Sequence, residues 1–170
     1  MKTGTNHFKT FAAVEQVTNN TTNWIGHRTI DDKGRITGQT FISPGDGDLQ
    51  AIEIFPAAVT RPGKIIMTLH HFDLHQKSWG PALGSSTIDI NTKEAGKWLA
   101  FDMKGMHLNK GKAYGFRLQS PDTYIGVGEA AGSHQKPPFG EGKEWQFTEG
   151  KAEGRAFSYF SLAFKVDMRA

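Results

Sequence analysis

The chain has 170 residues, a formal net charge of +3 and no cysteine. That length suits one domain with a sizeable core of its own, and the lack of cysteine excludes disulfides, thiol nucleophiles and thiolate metal sites. Lys and Arg are scattered rather than run together, which leaves no nucleic-acid footprint, and no apolar stretch is long enough for a membrane span.

In chain order, the N-terminal segment lacks the apolar stretch of a signal peptide. A chain starting at Met1 without a leader is therefore expected, with both ends tied into a sheet or a neighbouring subunit. Residues 1–23 read as an N-terminal arm or first strand. Phe8, Phe11, Ala12 and Glu15 fall at helical spacing, whereas Phe11, Ala13, Glu15 and Val17 share a strand face; the strand is preferred. Asn19 to Asn23 is a polar turn, Trp24 to Ile30 a second strand, Asp31 to Gly34 a turn, and Gly38 to Ile42 a strand closed by Ser43 to Gly47. Asp48 to Asp73 reads as two strands, with Ile52 and Ile54 alternating in one arm and Ile65, Met67 and Leu69 in the other.

Leu74 to Gly84, with Trp79-Gly80-Pro81, reads as a loop. Short strands follow at Ser85 to Asn91, Lys97 to Met103, Ala113 to Gln119 and Tyr124 to Glu129, separated by Gly- and Asn-rich turns. Ala130 to Gly142 is a long Gly/Pro loop. Ala156 to Met168 is the clearest strand, with Phe160, Leu162, Phe164, Val166 and Met168 on one face and Tyr159, Ser161, Lys165 and Asp167 on the other. Twenty glycines fit this density of tight turns. The expected fold is all-β: an antiparallel β-sandwich of jelly-roll type, with about nine to eleven strands in a single domain over residues 1–170. Its core is expected to hold Phe41, Ile52, Ile54, Met67, Leu69, Phe101, Phe116, Leu118, Ile125, Phe160, Leu162, Phe164 and Val166.

Four segments carry a resemblance: Gly38-Gln39-Thr40-Phe41, Leu49 to Phe55, Lys97 to Phe101, and Leu108 to Leu118. Together they resemble the β-jelly-roll modules of bacterial surface and exported proteins that look like carbohydrate-binding modules. Those modules often run G-Q-S-F, L-x-x-I, W-x-x-F and L-x-x-G-x-x-Y-x-x-x-L. Pro138 to Gly142 is similar to the Tyr-x-Gly-Gly loop near their ends. The resemblance spans roughly residues 38 to 168. It implies a non-catalytic role, a glycan as partner and, in some modules, a structural ion.

Trp24, Trp79, Trp145, Tyr124 and Phe139 are aromatics in loops or at outward strand positions. Flat rings suit the C–H faces of sugars, and flanking polar groups suit hydroxyls. The expected ligand site is Tyr124, Glu129, Phe139 and Trp145, with Trp79 and Arg117. The plainer readings are aromatic cover for the sandwich ends or an interface with a neighbouring subunit. Asp46 and Asp48 are candidate calcium ligands, as are Asp31 and Asp32. Calcium needs six to eight oxygens, and ordinary turn chemistry explains Asp and Gly equally well. His71, Asp73 and His75 would share a face on a continuous strand, but the following loop breaks that alignment.

No G-x-S-x-G, H-E-x-x-H, Walker A or G-x-G-x-x-G motif is present. Glu129, Glu141 and Glu144 are the only carboxylates considered for glycoside cleavage, whose stereochemistry depends on their spacing. The expectation is therefore no enzyme. The chain reads as a module displayed on the surface of a larger assembly, such as a virion decoration or fibre protein, with glycan binding or neighbouring protein subunits as partners. A secreted, lectin-like carbohydrate-binding module is the alternative, and a small glycosidase or lyase the distant one. The expected location is the surface of an assembly or the extracellular space, with a homo-oligomer among the expected states.

Overall fold

The computed structural model of the protein describes residues 10–29 and 31–169. Phe8, Ile30 and the expectations about the two chain ends lie outside the described residues. Among the described residues fifteen strands occur: β1 Thr10–Gln16, β2 Thr21–Gly26, β3 Arg35–Ile42, β4 Gly47–Ile54, β5 Pro56–Val59, β6 Gly63–Asp73, β7 Ser78–Ile90, β8 Leu99–Asp102, β9 His107–Leu108, β10 Ala113–Gln119, β11 Tyr124–Ala131, β12 Glu144–Thr148, β13 Arg155–Phe157, β14 Phe160–Leu162 and β15 Phe164–Arg169. A single 3₁₀ turn, Thr92–Glu94, is capped by the Asn91 side chain. The count exceeds the nine to eleven expected because β5, β9, β13 and β14 are two to four residues long, too short to show an alternating pattern.

The fold is an antiparallel β-sandwich. The smaller sheet runs β1-β15-β4-β8, with β9 beside β4; the larger runs β14-β11-β2-β3-β10-β6-β7. Its remaining strands are β5, paired with β11, and β12, paired with both β3 and β13. The core lies between the sheets, and all its expected members except Phe160 are buried. Phe41, Phe116 and Phe164 meet there with ring centroids 5.7–6.2 Å apart.

Two segments depart most from expectation. Of Leu74 to Gly84 only residues 74–77 form a turn, because β7 begins at Ser78 and pairs with β6 along its length. Trp-Gly-Pro is tolerated there because β7 is the outermost strand of its sheet, where Pro81 removes no needed ladder bond. The last strand is also not continuous. It breaks at Ser158-Tyr159 and at Ala163, which carries the chain from the large sheet to the small one. Ser161, expected to face solvent, is therefore buried and reaches Gln39 Oε1 at 3.4 Å.

β2 and β3 pair only through Gly26 and Arg35 among the described residues. Beyond that point β12 takes up the free edge of β3, with Glu144 opposite Gln39 and Thr148 opposite Arg35. This insertion positions the site described below. Leu162 is fully buried between the sheets, so Leu162→Ala should lower unfolding free energy by ~2–5 kcal/mol. Chemical denaturation checks this, and a loss within error would contradict the inward assignment.

Candidate functional site

Directly paired residues in antiparallel strands share a face. Thr68, Arg117, Gly38 and Trp145 are therefore in one row across β6, β10, β3 and β12. The next row, Leu69, Phe116, Gln39 and Glu144, faces the core. The first row belongs to the outer face of the large sheet. Phe72 and Trp79, paired across the β6–β7 hairpin, add to it.

Glycine makes this face flat enough to seat an indole. A Cβ at Gly115 would lie 2.5 Å from two Trp79 ring carbons, and one at Gly38 would lie 3.0 Å from the same ring. Trp79 stands perpendicular to Trp145, with centroids 6.0 Å apart. Phe72 meets Trp79 at 5.6 Å and Trp145 at 5.7 Å, both edge to face. Phe147 stacks on Trp145 at 6.1 Å. The Arg117 guanidinium lies 4.6 Å from the Trp79 ring and 4.0 Å from the Phe147 ring, a paired cation–π contact.

Burial lowers the pKa of Arg117, though a guanidinium stays charged. His70, 5.5 Å from Trp79, has its pKa lowered first by burial and further by Arg117, against a raising contribution from its bond to Gly80. The neutral ring then donates Nδ1–H to Gly80 O at 3.0 Å and accepts the Thr68 hydroxyl at Nε2, at 2.8 Å. Arg117 Nε and the Nε1 atoms of Trp79 and Trp145 are buried without an acceptor. The perpendicular packing offers ring faces as weak acceptors.

Beside this cluster lies a groove of about 270 Å³. Phe72, Leu74 and Trp145 supply its apolar surface, and Thr40, Lys77, Glu141 and Lys143 its polar rim. Both flanking loops are pinned. Asp73 Oδ1 accepts His75 N–H and Gln76 N–H at 2.9 Å each, fixing the β6–β7 turn. Thr40 Oγ1 accepts Lys143 N–H at 2.9 Å, fixing the end of the 132–143 loop.

The structure gathers Trp79, Trp145 and Arg117 and scatters the other expected site residues. Tyr124 is stacked on Trp24 at 4.9 Å, away from the groove. Phe139 turns inward and meets core Phe164 at 5.3 Å, because the long loop folds over an uncovered part of the core. Glu129 is buried rather than exposed; β11 turns it inward with Val127 and Ile125, where it meets Glu144. Asp46 and Asp48 serve separate bonds: Asp46 Oδ1 accepts Lys110 N–H at 2.8 Å, and Asp48 Oδ1 pairs with His107 Nδ1 at 2.9 Å. His71 and Asp73 are on β6, but His75 is in the turn. Among the described residues no group of three His, Asp or Glu side chains is placed to hold a metal. Phe72, Leu74, Lys77 and Lys143 were missed as groove residues. Only the pairing of Phe72 with Trp79 could have shown them, and the loop assignment hid it.

Glu144 and Glu129 form a carboxyl pair inside the fold. Burial first, then the neighbouring Glu129, pushes Glu144 up to about 10, while Gln146 and Asn23 beside it pull weakly the other way. Burial raises Glu129 as well. Written as bare carboxylates, Glu129 Oε2 and both Glu144 oxygens lack a donor; a retained proton supplies one.

No family model matches the chain, and no curated protein matches it. Its fold is similar to the crystal structure of the cysteine protease and lectin-like domains of Cwp84, a surface layer associated protein of Clostridium difficile. The TM-score is 0.52 at 8% identity, over 81% of this chain and 33% of that one. The clostridial cysteine protease Cwp84 after propeptide cleavage gives the same TM-score at 11% identity, over 80% of this chain and 36% of that one. The chain thus spans about a third of each neighbour, on its lectin-like part. At these identities the likeness is one of fold.

The raised carboxyls give a pH dependence. Between an unfolded value of 4.5 and a folded value of about 10, the native state holds a Glu144 proton that the unfolded chain releases. Stability therefore falls as pH rises through that window. Asp167, raised to about 7 by burial and by Glu53, acts with the same sign between 3.8 and 7. Glu144→Gln keeps the shape and cannot ionise, so melting temperatures measured from pH 7 to 10 should fall less steeply than in the wild type. An unchanged slope would contradict the shared proton.

Proposed function

We propose that the chain is a non-enzymatic, lectin-like module that binds carbohydrate in the Phe72–Trp145 groove and is displayed on a surface, either outside the cell or on a larger assembly. The observation that carries this reading is the groove itself. Two rings held at fixed angles form its apolar surface, and a hydroxyl, two ammonium groups and a carboxylate surround it. Apolar surface ringed by a few polar groups is the usual make-up of a small-ligand site, and pyranose rings present the same mixture in reverse. The rigid glycine-seated cluster beneath lowers the ordering cost of binding.

The lectin-like part of the neighbouring surface-layer protein supports the class, and its surface association supports the location. The non-enzymatic reading is supported by the placement of the carboxyls. Glu129 and Glu144 are buried with raised pKa values, on the side of the sheet away from the groove. Glu141 alone reaches the groove, and hydrolysis of a glycosidic bond needs two carboxyl groups at a set separation.

A glycan array should show defined hits for the wild type. Trp145→Ala and Phe72→Ala should weaken the best of them by about 5- to 13-fold, the effect of losing a ring contact of about 1–1.5 kcal/mol. Gly115→Ala should weaken binding without touching the groove, because its methyl displaces the Trp79 indole. Trp98→Ala, in the loop leading into β8 of the other sheet, should bind like the wild type. A silent array, or full binding by Trp145→Ala, would overturn the reading.

A further inference from the structure

On the opposite face of the β12–β13 ribbon lies a second cavity, of about 370 Å³, bounded by Asn23, Trp24, Arg35, Ile36, Gln146, Phe147, Thr148 and Arg155. The register explains why its polar members converge. Arg35 pairs with Thr148 and Arg155 with Gln146, and Thr148 and Gln146 are two residues apart on one strand. All four side chains therefore leave the same face, the one that bears Glu144. Asn23 joins them from β2, its Nδ2 donating to Thr37 Oγ1 at 2.8 Å; Thr37 is paired with Gln146.

Its chemistry is cationic. Among the described residues neither Arg35 nor Arg155 forms an ion pair, and Arg155 has only a loose contact with the Phe157 ring, at 5.7 Å. The nearby acids are occupied: Glu149 is held by His27 at 2.9 Å, and Glu144 lies buried behind Asn23 and Gln146 with its proton retained. Two guanidinium groups at the mouth match the fork geometry of an oxyanion. The two amides and the Thr148 hydroxyl can both donate and accept, as a ring of sugar hydroxyls requires. The volume is at the low end of the roughly 300–1,000 Å³ of ligand sites, which suits one sugar unit rather than a chain.

We propose that this cavity is a second binding site, for a single sugar unit bearing a carboxylate or a sulfate, held through Arg35 and Arg155 at its charged group and through Asn23, Gln146 and Thr148 at its hydroxyls. The site does not depend on the groove, since it lies on the other face of the ribbon and shares none of the groove's residues.

The test is a titration followed by calorimetry and by amide chemical shifts, using glucuronate, galacturonate, glucose 6-sulfate, neutral glucose and inorganic sulfate as probes. The expected result is binding of at least one acidic sugar, with shift changes at Asn23, Gln146 and Thr148. Arg35→Gln and Arg155→Gln should each weaken it at least ~10-fold, while Leu74→Ala, at an exposed groove position remote from the cavity lining, leaves it unchanged. Both arginines are exposed, so the variants should keep the wild-type melting temperature. A uronate response without a sulfated-sugar response assigns the carboxylate, and the reverse assigns the sulfate. Equal binding of neutral glucose, sulfate binding as tightly as any sugar, loss of binding in Leu74→Ala, or no response to any probe would each overturn the proposal.

Discussion

The structure depends on how one five-residue strand is held in place. β12 pairs along β3 on one edge and with β13 on the other, and its two faces do different things. Trp145 and Phe147 build the outer aromatic cluster, while Glu144 turns inward against Glu129. Two carboxyl groups with so little access to water could not both ionise without a large penalty. A proton retained on Glu144 lets the two carboxyls lie side by side. The internal carboxyl pair and the external aromatic groove thus meet on one strand, whose place is set by its register with β3.

Rigidity at the groove has a second source, in residues that contribute no side chain. Gly38 and Gly115 leave a bare patch on the sheet, and the Trp79 indole lies on it. Arg117 is then clamped between Trp79 and Phe147. The guanidinium that the sequence suggested as a ligand contact instead supports the rings around it. A sheet face built this way presents fixed rings rather than mobile ones, which favours binding by pre-organisation.

Much of the fold was legible because strand burial follows a period of two. Met67 and Leu69, Phe116 and Leu118, and Phe164 and Val166 each announced their inward face, and all are buried. Where the sequence misled, the cause was local chemistry overridden by position. Trp-Gly-Pro reads as a turn, yet an outer strand accepts proline, so the first half of β7 was hidden. The alternation from Phe160 to Met168 hid a change of sheet at Ala163. The site was legible in residue type but not in grouping. Trp79, Trp145 and Arg117 are far apart in the chain, and only the β6–β10–β3–β12 register brings them together. Glu129 looked like a surface ligand because its charge was counted before its strand face. Phe139 looked like a loop aromatic because nothing in a Gly/Pro-rich stretch shows that it folds back onto the core.

The account's central claim is that carbohydrate meets the outer face of the large sheet at Trp145. The most direct measurement follows the indole Nε1–H resonances of the four tryptophans while a glycan is titrated into the wild-type protein. The account predicts that the Trp145 and Trp79 signals move together, while that of Trp98, just before β8 and under the Lys165 ammonium, stays in place. A saturable shift at Trp98 with Trp145 and Trp79 unmoved would contradict it.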